Sequence, residues 1–148
     1  MALLRRAILG TLGCATLVLA IPKTAALDLY DEPQTIIQSV LERYAGKDAP
    51  DLMTLPFVHR IRVALARTDI SVDPVINAAE IRLSDVRVGP TRMMDATRGR
   101  VEARFRNTGK EQTATFELDR TSGDWLITEI RHANGITLRT LLQIPSAR

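Results

Sequence analysis

Twelve residues from Asp69 to Glu80, DISVDPVINAAE, place oxygen-bearing side chains at a metal-ligand spacing. Asp69, Ser71, Asp73, Asn77 and Glu80 stand at positions 1, 3, 5, 9 and 12, the ligand spacing of an EF-hand calcium loop. Ile76 at position 8 fits the same pattern. Pro74 does not, because the sixth position needs the permissive dihedrals of glycine and proline fixes φ at about −65°. A calcium loop should also lead into a helix, whereas the following IRLSDVRV reads as a strand. The stretch is therefore read as a capped turn, with Asp73-Pro74 opening one or two helical turns over PVINAAE. No metal is assigned to Asp69, Ser71, Asp73 and Glu80.

His59 and His132 are the only histidines. Two histidines without cysteine and without closely spaced carboxylates make no metal signature. His132 beside Glu129 could act as a general base if a pocket tuned its pKa, which makes this pair the catalytic candidate. The chain has no glycine-rich phosphate loop, no GxSxG and no CxxC, so no catalytic residue and no cofactor is assigned. Arg100, Glu102, Arg104, Arg106, Thr113, Thr115 and Glu117 form a charged row of mixed sign. Such a row could bind an anionic ligand or a partner, but its mixed signs read as a solvated sheet face with cross-strand pairs. It lacks the interleaved aromatics that single-stranded nucleic acid would want, and no nucleic-acid partner is expected. Trp125 reads as a core anchor.

The elements that position these residues follow a leader. MALLRRAILGTLGCATLVLAIPKTAA has Arg5 and Arg6 as a basic region, an apolar run from Ala7 to Ile21, and Thr24-Ala25-Ala26 before Leu27. Small residues at −3 and −1 predict signal cleavage after Ala26. The apolar run is shorter than the roughly 20 residues a spanning helix needs, so the membrane is met only in transit. The paired arginines leave both the general secretory and the twin-arginine routes open. The whole chain has 20 Lys and Arg against 17 Asp and Glu. Arg5, Arg6 and Lys23 leave with the leader and no acidic residue does. The basic balance thus belongs to targeting and says nothing of an anionic partner. The only cysteine, Cys14, leaves too, so residues 27–148 can form no disulfide.

Residues 27–148 suffice for one core and are too few for two ordinary domains. The stretch 27–80 is expected to be mainly helical. One helix is predicted over DEPQTIIQSVLERYAGKD with Asp31 as cap, and a second over Thr54 to Arg67. Residues 81–148 change to period two. Strands are predicted over IRLSDVRV, RVEARFR, TATFELD and WLITEI, followed by a short helix over NGITLRTLLQI. A hairpin turn on Thr108-Gly109 sets Val101 opposite Phe116 and Arg100 opposite Glu117. The expected class is α+β: N-terminal helices packed on a curved four-stranded antiparallel meander, with a short C-terminal helix.

VDPVINAAEIRLSDVRV, the Arg-Phe-Arg-Asn-Thr-Gly hairpin and GDWLITEIRHANGITLRTLL resemble a bacterial family of exported proteins, domain-of-unknown-function family 3828. The shared landmarks are Asp73-Pro74, Trp125, Ile127, Ile130, Thr137, Leu138, Arg139 and Leu142. The chain departs from that pattern at Ala79-Glu80, where Gln-Asp is usual. The resemblance implies a cone similar to nuclear transport factor 2, a curved sheet wrapped around helices, and it supplies no catalytic residues. That cone serves enzymes and non-enzymes alike. The expected function is a periplasmic or secreted, non-catalytic binding or interaction module of the bacterial envelope, with a protein or small-molecule partner. The alternatives are an acid/base enzyme in a cone-shaped pocket and an envelope inhibitor or immunity protein.

Overall fold

In the computed structural model, residues 32–46, 48–120 and 123–145 are described. The stretch expected to be a leader, the expected cleavage position after Ala26 and the expected cap Asp31 lie outside them. The architecture is α+β, with an open antiparallel sheet and few helices.

Helix α1, Pro33–Tyr44, begins with Pro33, whose missing N–H costs nothing in the first turn. Glu32 takes the cap position without a side-chain bond. Pro33, Ile37, Val40, Leu41 and Tyr44 form its buried stripe. The helix expected over Thr54 to Arg67 is shorter: a 3-10 turn at Leu52–Thr54 precedes α2, His59–Leu65. Pro56 explains the difference, since the residue before a proline is driven out of helical geometry. Pro56 to Val58 instead runs alongside the sheet. Ile127 donates its N–H to the Pro56 carbonyl at 2.7 Å, and Val58 donates to the Ile127 carbonyl at 3.1 Å.

The strands are β1 Leu83–Val88, β2 Arg92–Met93, β3 Arg98–Asn107, β4 Lys110–Asp119 and β5 Leu126–His132. Their order is β1-β3-β4-β5, and β2 also pairs with β3. The β3–β4 hairpin has the predicted register, with Val101 opposite Phe116 and Arg100 opposite Glu117. Thr108 at φ 49° and Gly109 at φ 81° give both central turn residues positive φ, the twist a two-residue hairpin prefers.

The expected four strands are five because the first is broken. β1 and β2 lie end to end on one edge of β3. Ser84 and Arg87 oppose Arg106 and Arg104, so β1 carries one extra residue there, and Asp85 takes a φ of 51°. Val88 and Arg92 oppose Ala103 and Arg100, which places a second extra residue over 89–91. A third irregularity falls in β5, where Leu118 faces Ile127 while Glu117 faces Glu129. Bulges bend strands and raise their twist, so the sheet curves around its apolar face.

That face is filled. Val101, Ala103, Phe105, Ala114, Phe116, Leu118, Ile127 and Ile130 are buried together with Ile37, Leu41, Tyr44, Phe57, Ile61, Val75, Ile76 and Leu138. The last of these comes from the short helix α3, Leu138–Leu141, where Thr137 caps the Thr140 N–H. Asn107 is a buried polar residue with a fixed task. Its Oδ1 accepts the Arg82 N–H at 2.7 Å and its Nδ2 donates to the Glu80 carbonyl at 2.9 Å, tying the connector to the hairpin. Among the described residues no helix is long and apolar enough to cross a membrane.

Candidate functional site

The Asp69–Glu80 stretch folds as a tight turn and not as the expected one or two helical turns. The Asp73 N–H donates to the Ala78 carbonyl at 2.9 Å, closing a bridge across Pro74–Asn77. Asn77 sits at φ 56°, which stops helical propagation. Both Asp73 oxygens are engaged. Oδ1 accepts the N–H groups of Val75 and Ile76 at 2.8 and 3.0 Å, and Oδ2 accepts the Tyr44 hydroxyl at 2.9 Å. Burial raises the Asp73 pKa above its ordinary value against these bonds, and burial followed by the Asp73 charge pushes the Tyr44 hydroxyl up. Asp69 and Ser71 are exposed. Glu80, also exposed, pairs with Arg82 at 3.1 Å. Among the described residues no group of three or more His, Cys, Asp or Glu side chains is placed to hold a metal ion.

Glu129 and His132, read together in the sequence, turn to different partners. Glu129 is 5% exposed. Its Oε1 accepts the N–H groups of Ile130 and Arg139 at 3.1 and 3.2 Å, and its Oε2 lies 3.4 Å from Arg139 Nε. It therefore joins β5 to the start of α3. His132 is 8% exposed, with Nε2 at 3.4 Å from the Pro74 carbonyl. Burial lowers its pKa, opposed by that carbonyl and by the Asp73 charge, so the ring is neutral at pH 7. It lines a cavity of about 450 Å³ together with Asn77, Glu111, Thr113 and Asn134. His59 is exposed.

The landmark residues are structural in their contacts. Trp125, Ile127 and Leu138 are buried. The Arg120 guanidinium carbon stands 5.9 Å from the Trp125 ring centre, within range of a cation–π contact.

A larger groove, about 660 Å³, opens on the outward sheet face. It is lined by Arg87, Arg92, Arg100 and Arg104 with Glu102 and the 89–91 bulge. Gly89 lets the bulge approach: its N–H donates to the Glu102 carbonyl at 2.8 Å, and a Cβ there would meet that oxygen at 3.1 Å. The sequence shows Arg100, Glu102 and Arg104 as one row. It does not show that Arg87 and Arg92 join them, because two bulges set that register; Gly89 is the only local signal.

No family model, no curated protein and no solved structure matches this chain.

Proposed function

We propose that the chain is an exported protein of the bacterial envelope that works by binding, without catalysis. One observation carries the reading. The curved sheet's apolar face, where a cone would hold a substrate, is packed with side chains from α1, α2, the Asp73 turn and α3. A filled interior directs recognition to the outside of the molecule. Glu129 supports the same view, since its carboxylate is spent on two backbone N–H groups and Arg139. Export after Ala26, the likeness to the exported family and the cone-like shape belong to this proposal.

Native mass spectrometry of the protein purified from its own periplasm tests it. The expected species begins at Leu27 and carries one defined additional mass, either a small molecule or a partner chain. A bare monomer under gentle ionisation and after cross-linking in the cell would overturn the reading.

A further inference from the structure

The outward groove concentrates positive charge beyond what its own sheet neutralises. In register, Arg87 lies directly opposite Arg104 and Arg92 directly opposite Arg100. Like charges facing each other across neighbouring strands are destabilising, and here two such pairs occur on one face. Four arginines line the groove against a single glutamate, Glu102. That glutamate is already used: its Oε1 accepts from Arg104 Nε and Nη2 at 3.2 and 3.1 Å. Arg100 reaches outside the groove to Glu117 at 3.1 Å, a carboxylate it shares with Arg131 at 3.2 Å. The buried Nε of Arg100 has no hydrogen-bond partner. Among the described residues, Arg87 and Arg92 form no ion pair.

We infer that this groove binds a small organic anion carrying two or more phosphate or carboxylate groups, an inference that rests on the binding role proposed above. The forked donors of arginine match the oxygens of both groups, and two adjacent guanidinium pairs favour a ligand with more than one. Four residue steps lead from Arg100 to Arg104 along β3, about 13 Å of strand, a distance that long arginine side chains close from either end. A volume of about 660 Å³ suits a small molecule. The bound anion relieves the repulsion that the sheet tolerates when empty, so recognition and relief of a like-charge contact are the same event.

Titration calorimetry at low ionic strength, with inorganic tripolyphosphate and with citrate as probes, tests the inference and separates phosphate from carboxylate preference. Wild-type protein is expected to bind at least one probe at a single site. Arg87→Ala and Arg92→Ala are each expected to weaken binding about tenfold or more, as the loss of a charge-assisted hydrogen bond implies. Arg62→Ala, on the exposed part of α2, leaves binding unchanged. Without ligand, Arg92→Ala melts at or above the wild-type temperature, because it removes one of two facing cations. Failure of both probes to bind would overturn the inference, as would an equal loss in Arg62→Ala and Arg92→Ala. If the Arg87→Ala/Arg92→Ala double variant still carries its added mass in native spectra, the groove fails while the binding role stands.

Discussion

His132 is a titratable ring set between the fold and a cavity of about 450 Å³. Its ring is buried against the Pro74 carbonyl, and burial lowers its pKa from the ordinary 6.5. In the unfolded chain the ring gains a proton near pH 6.5; in the folded chain it does so only at lower pH. Between those two points the unfolded state holds more protons, so stability is present above the ordinary value and falls as pH drops towards the folded one. The limiting slope is about 1.4 kcal/mol per pH unit. Urea melts from pH 7.5 to 5.5 should show this loss, and His132→Gln should flatten it. An unchanged slope in the variant would remove His132 as its cause. Asp73 acts with the opposite sign: its raised pKa makes the buried carboxylate a cost at neutral pH that protonation relieves. Its identity as a turn former was legible in the sequence, since aspartate before proline starts turns. The Tyr44 partner was not, because 29 residues separate the two.

At the scale of elements, the register of the β3–β4 hairpin was legible, although both strands run longer than the predicted 100–106 and 113–119. Strict alternation flanks a turn composition, so one register satisfies both apolar and charged faces. The strand before it was legible only as a strand. Each bulge shifts the register by one residue, the first without a compositional mark and the second marked only by Gly89, which hid the meeting of Arg87 and Arg92 with β3. The hairpin's own turn carries strain. Thr108 holds φ 49°, a left-handed conformation that crowds a β-branched side chain. Thr108→Asn is expected to stabilise the protein by about 1 kcal/mol, since Asn-Gly is the favoured pair at such a turn. The check is a rise in urea midpoint with unchanged slope; a lower midpoint would show that the threonine is not strained there.

For the molecule as a whole, one layer of helices and turns closes one face of one sheet. The buried set draws on α1, α2, the Asp73 turn, the sheet and α3 together, so no part has a core of its own. Unfolding is expected to be all-or-none. Trp125, the only tryptophan, is packed in that core. Its fluorescence and the far-ultraviolet circular dichroism should therefore change at one denaturant midpoint. Separated midpoints would mean that the helical layer can leave the sheet standing.

The broken first strand also bears on self-assembly. The far edge of β5 is partly occupied: Pro56 and Val58 bond to Ile127, and the Ile136 carbonyl accepts the His132 N–H. The opposite edge, β1 with β2, pairs only with β3 among the described strands. A second copy adding a strand there would need an unbroken row of N–H and C=O groups. It would find a bent edge interrupted at Asp85 and again over 89–91, flanked by Arg87 and Arg92. Within residues 27–148 acidic and basic residues balance, so their net charge does not keep copies apart. The two bulges then take over that duty, making the edge a poor template for fibres.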